Sequence, residues 1–202
     1  MGVYLGWGAR TASAVAFGFF VCSLASAGSF VYDEAVDGDL SDDWLAPTQF
    51  PASGAGQSIA TMDVVDSNET SGDRDYFTIT IADGFQLDSI DLLTLDAGGG
   101  DSVAFVGIQE GDQITVDPNF PNPAPLLGWT LTQQSDVGND ILAPMIGGEN
   151  TPLGPGQYSF WVQQTGQDLT TLSFGFNVSV IPAPAPVGLA GLALLGAMRR
   201  RR

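Results

Sequence analysis

The sequence predicts an all-β chain: an antiparallel β-sandwich of jelly-roll type, set between an amino-terminal signal helix and a short carboxyl-terminal hydrophobic helix. Three observations predict it. In the middle of the chain, apolar residues recur with a period of two rather than 3.6. The periodic runs are short and are separated by Gly, Asn, Asp and Pro clusters that favour turns. No stretch of the central segment has the spacing of an amphipathic helix.

The strands are justified in order. Ser58–Val65 is the first candidate, and Phe77-Thr-Ile-Thr-Ile81 alternates up to an Asp83-Gly84 turn. Gln86–Leu95 and Ser102–Gln109 are apolar on both faces in places, which suits central strands. Gln113–Val116 and Leu127–Thr132 are further candidates. Residues 158–163 set Tyr158, Phe160 and Val162 against Ser159, Trp161 and Gln163, so that Trp161 is expected on a solvent face. Residues 172–180 alternate without a fault, with Leu172, Phe174, Phe176, Val178 and Val180 on one side. About eight short strands of this kind make a sandwich. Two long linkers, Asp117–Pro125 and Asp136–Gln157, interrupt them, and Asp37–Trp44 reads as an ordered acidic loop.

Charge divides the 202 residues into three parts. The chain has 23 carboxylates, six basic residues, no His and a net charge of −17. All the carboxylates fall between Asp33 and Asp168, with Arg74 the only basic residue among them, so the cargo segment carries −22 and nucleic acid is excluded as a partner. Without His there is no imidazole base, no imidazole zinc ligand and no Ser-His or Cys-His pair. The sequence therefore divides into 1–27, an acidic lead-in at 28–56, a β-sandwich at 57–180 and a tail at 181–202.

The two ends read as address labels. Arg10 precedes the apolar run Ala14–Ala25, and Ala25-Ser26-Ala27 offers small residues at −3 and −1 for cleavage by signal peptidase before Gly28. Cleavage there removes Cys22, the sole cysteine, which suits an oxidising exterior. At the other end, Ile181-Pro-Ala-Pro-Ala-Pro186 makes an extended spacer, because alternate prolines fix φ and delete donors. The uncharged run Val187–Met198 and four arginines, Arg199, Arg200, Arg201 and Arg202, complete the chain. As a helix that run rises about 18 Å, short of the ~30 Å hydrocarbon core, with the arginines held on the cytoplasmic side. A permanent tail anchor is the alternative reading.

Spacer, apolar helix and Arg cluster in that order closely resemble the PEP-CTERM sorting signal, with Pro182-Ala183-Pro184 in the place of Pro-Glu-Pro and Ala183 where the family usually has Glu. The resemblance implies transient membrane insertion and processing by exosortase. It also implies a protein exported across the inner membrane, held there as an anchored precursor, and then displayed at the cell surface or released into an extracellular polysaccharide matrix. Within the cargo, Ser71-Gly-Asp73-Arg-Asp75-Tyr-Phe77 with its following strand, and Pro155-Gly-Gln-Tyr158-Ser-Phe160, resemble the bacterial pre-peptidase carboxyl-terminal (PPC) domain, a small noncatalytic jelly-roll sandwich.

Carboxylates are the remaining reactive groups. Asp37, Asp39, Asp42, Asp73 and Asp75 are candidate hard-oxygen ligands for Ca²⁺, the last two also matching positions where some PPC domains bind calcium, and a solvated acidic loop is the alternative. A two-carboxylate glycan hydrolase is the only enzyme class left open, and no spacing singles out its pair. Trp161 is the candidate carbohydrate contact, while Trp44 and Trp129 lie at loop edges. These readings converge on a noncatalytic structural or interaction protein of the envelope or biofilm matrix, with a calcium-dependent carbohydrate-binding module as the alternative.

Overall fold

The computed structural model describes residues 28–64, 73–97, 103–120, 122–165 and 169–182. Among the described residues, nine strands form two layers: β1 (Val31–Asp33), β2 (Thr48–Ser53), β3 (Gly56–Val64), β4 (Arg74–Ile81), β5 (Phe85–Asp96), β6 (Val103–Glu110), β7 (Gly128–Gln133), β8 (Gly156–Gln164) and β9 (Thr170–Val180). One sheet has the order β1-β3-β9-β5 and the other β2-β4-β8-β6-β7. The expected alternation sets which side of each strand faces inward. Leu172, Phe174, Phe176 and Val178 of β9 meet Phe77, Ile79 and Ile81 of β4 and Tyr158, Phe160 and Val162 of β8 in one core. Phe77 stacks on Phe160 with centroids 4.9 Å apart, and Phe176 meets Phe160 edge-on at 5.6 Å.

Two features depart from the sequence reading. The sheets are mixed, not wholly antiparallel: β1 runs parallel to β3, and β2 runs parallel to β4. Both parallel strands come from residues 28–56, where no strand is expected. That segment supplies an edge strand to each sheet, and Leu40 and Phe50 enter the core, with Phe50 stacked 5.2 Å from Phe77. Its apolar residues are sparse and mixed with turn-forming ones, so period-two counting misses it. The second departure is Gln113–Val116, which is not a strand. Its backbone bonds go elsewhere, Ile114 N–H to the Trp44 carbonyl and Thr115 N–H to the Gln109 side chain, which leaves no ladder to join.

The linker after β7 covers an edge. Ile90 and Ile141, and Leu87 and Leu153, are linked by backbone bonds, so residues 138–153 lie antiparallel along β5. Between these two contacts sits the short helix α1 (Leu142–Ile146), whose Leu142, Met145 and Ile146 are buried. Among the described residues no helix is long and apolar enough to cross a membrane. Ala25 and Ala27, and Ala183, Pro184 and Arg199–Arg202, lie outside the described residues, which start at Gly28 and end at Pro182.

Candidate metal centre and aromatic face

The acidic cluster forms where the lead-in crosses from one sheet to the other. After β1, residues 34–47 pass over the sandwich edge before β2 begins. Tyr76 N–H donates to the Ser41 carbonyl at 2.9 Å, and Arg74 N–H donates to Asp42 Oδ1 at 3.2 Å, which fixes this crossing against the start of β4. Two carboxylate trios result. Oxygens of Glu34, Asp39 and Asp75 lie within 4.8 Å of one another, as do those of Asp39, Asp42 and Asp73. Asp39 belongs to both.

Asp75 is the unusual member. Its side chain points inward with Phe77 and Ile79, it has 0 % exposure, and neither carboxylate oxygen has a hydrogen-bond partner. Burial first, then the charges of Glu34, Asp73, Asp39 and Asp42, push its pKa up to about 10. Asp73 is pushed up to about 7 by burial and by Asp39 and Asp42. Glu34 is raised by burial, although its two oxygens accept from the Leu40 and Asp63 N–H groups at 2.7 Å each. Protonation alone leaves Asp75 with buried polar atoms unpaired, a costly state in an apolar setting. A cation between the trios would resolve both the repulsion and the missing partners.

The donor set fits a hard cation. It consists of carboxylate oxygens with no His or Cys, the chemistry of Ca²⁺ rather than of zinc or copper. With their oxygens within 4.8 Å of one another, the trios are compact enough for the ~5 Å between opposite ligands across a Ca²⁺ with bonds of ~2.3–2.6 Å. The charge of Arg74 lies beside the Tyr76 phenol, on the outer face of β4.

Of the five residues expected from sequence, Asp39, Asp42, Asp73 and Asp75 come together, and Asp37 does not. Asp37 accepts the Asp33 N–H at 2.9 Å and lies outside both trios. Glu34 takes its place. Glu34 lies before the acidic run that begins at Asp37, and its place beside Asp75 depends on the long-range pairing of β1 with β3.

Trp161 points to the outer face, as its phase predicts, but that face is not wet there. Residues 111–116 fold back over β4 and β8 with Leu126 beside them, so Trp161 is only 3 % exposed and packs with Tyr76, Ile114 and Val116 beneath Trp44, Phe105 and Leu126. The cover is tied down by Ser159 Oγ donating to the Gly111 carbonyl and Thr78 Oγ1 donating to the Asp112 carbonyl. Trp129 on β7 is the exposed tryptophan of this face, at 48 %. Comparison with protein-family models, characterised proteins and solved structures gave no match.

Proposed function

We propose that this chain is an exported, noncatalytic interaction module of the cell envelope or extracellular matrix, whose amino-terminal segment is fastened to its sandwich by Ca²⁺. The observation that carries the cation reading is Asp75, fully buried with both oxygens unpartnered and facing Glu34 and Asp39. Glu34, Asp39 and Asp75 would hold the ion, with Asp42 and Asp73 beside them. The bound ion supplies positive charge that lets five carboxylates share one rim. Oxygen sites of extracellular modules work at roughly 10⁻⁴–10⁻³ M Ca²⁺, which suits a destination outside the cell.

Export and sorting rest on the Ala25-Ser26-Ala27 site and on the spacer, apolar run and Arg199–Arg202, which resemble a PEP-CTERM signal processed by exosortase. The jelly-roll assignment is supported by strand order. The series β4-β8-β6-β7 lies in one layer and β3-β9-β5 in the other, with residues 138–153 along β5 where an eighth strand would lie.

Thermal melting against Ca²⁺ in high NaCl tests the cation. Ligand bound only by the native state raises stability as RT ln(1 + [L]/Kd), so Tm should climb with Ca²⁺ in the parent and stay flat in Asp75→Asn. A flat parent curve removes the metal. Intact mass of the extracellular protein tests sorting: a product still carrying Arg199–Arg202 favours a permanent anchor.

A further inference from the structure

The outer face of the five-stranded sheet carries an aromatic row across its strands. Trp129 on β7, Phe105 on β6, Trp161 on β8 and Tyr76 on β4 follow one another with ring centroids 6.0, 4.8 and 6.1 Å apart. Gly107 makes the row possible. It sits in register between Trp129 and Trp161, and a Cβ there would meet the Phe105 ring at 3.1 Å, so the ring lies over the space a side chain would fill. The cover of residues 111–116 and Leu126 shields the Tyr76 and Trp161 end and leaves the β7 end open. A cleft of about 270 Å³ remains there, walled by Phe105, Val116, Leu126, Trp129, Trp161 and Gln163.

Beside these ring and aliphatic walls the cleft has one polar side chain, and it is oriented. Trp161 Nε1–H donates to Gln163 Oε1 at 3.0 Å, which holds the amide oxygen against the indole and turns the NH₂ group, a donor, away from it. A flat apolar wall with a fixed amide donor at its side matches a pyranose ring, whose C–H face stacks on an aromatic while its rim of hydroxyls accepts hydrogen bonds. The charge pattern narrows the polymer. With 23 carboxylates in the chain and Arg74 the only basic residue among them, the surface repels acidic polysaccharides and accepts uncharged ones.

We propose that the Trp129–Phe105 cleft binds pyranose rings of a neutral polysaccharide. The site is separate from the acidic rim and does not depend on the cation reading, since none of its walls belongs to the carboxylate trios.

The test is affinity electrophoresis of the folded chain in native gels containing hydroxyethylcellulose, laminarin, xyloglucan or galactomannan, with alginate as the acidic control. Retardation is expected in at least one neutral gel and not in alginate. Trp129→Ala should weaken that binding about tenfold by removing the exposed stacking face, and Gln163→Ala severalfold by removing the donor. Trp129 is half exposed at a sheet edge, so its truncation should leave the melting temperature near that of the parent, whereas Trp161→Ala would confound binding with folding. Failure to bind any of the four neutral polymers overturns the proposal. So does retardation that Trp129→Ala leaves unchanged, retardation by alginate alone, or a dimer in light scattering that Trp129→Ala dissolves, which would assign the cleft to a second copy.

Discussion

The two sheets present opposite outer surfaces. On the four-stranded sheet the outward side chains of β3, β5 and β9 satisfy one another. Asn177 donates to Ser89 and to Asp91, Gln57 donates to Asn177, Thr61 and Ser173 share a bond, and Thr171 donates to Asp63. On the five-stranded sheet the same positions hold Tyr76, Trp161, Phe105, Trp129 and Leu131, covered by a loop over β4 and β8 but exposed at β7, where Leu131 is 50 % accessible. A polar face can end at water; an aromatic face has to be covered, and the chain covers most of it. The difference teaches that period two identifies the side on which a residue lies and leaves open whether that side is wet.

The sharpest way to break this contrast is to truncate the covered face. Trp161→Ala should cost about 3–5 kcal/mol in denaturant unfolding, the range for emptying a large buried aromatic site. A loss under ~1 kcal/mol would mean that the cover of residues 111–116 and Leu126 is not a packed second core. Next in size is Gly128→Ala, at the start of β7. A Cβ there would sit 2.1 Å from the Met145 carbonyl oxygen and 3.0 Å from the Ile146 Cα, so helix α1 must move, at roughly 1–3 kcal/mol. On the polar sheet, Gly175→Ala brings a Cβ to 2.8 Å from the amide nitrogen of Gln57, a flexible end that can swing away by giving up its bond to Asn177. Its cost should stay within about 1 kcal/mol.

The rim between the two faces gives a prediction in pH. Protonated Asp73 and Asp75 favour the folded state, because their folded pKa values, about 7 and about 10, lie above the ordinary value near 4. That contribution is fully present below about pH 4 and is lost as pH rises through 7 and towards 10. In chelator, Tm should therefore fall between pH 5 and pH 8. Millimolar Ca²⁺ should reverse the trend, since a cation binds the deprotonated carboxylates. Parallel pH curves with and without Ca²⁺ would separate the raised carboxylates from any metal role. The polar side is sharpened by Asn177→Ala, which should cost about 1 kcal/mol, the net worth of a side-chain hydrogen bond, checked by urea unfolding.

The strands that carry the core were legible because their physics is local. Alternation at 158–163 and 172–180 follows from the two-residue pleat, and Asp83-Gly84 marks its turn by chemistry that needs no partner, with Gly84 at φ +84°. The carboxylates Asp73 and Asp75 could be nominated from sequence, since they adjoin a readable strand. Their relation to Glu34 and Asp39 could not, because it arises from two parallel edge pairings that span some 30 residues each and leave no periodic trace. The fate of Trp161 was equally out of reach. The pleat sets its direction, but its burial depends on where residues 111–116 land, and that is decided by hydrogen bonds from Thr78 and Ser159 and by packing against Trp44. Sequence alone determined the period, the turns, the concentration of negative charge and the two cationic ends. Tertiary structure decided which carboxylates meet and which aromatic faces stay open, because long-range contacts fix those distances and local chain geometry does not.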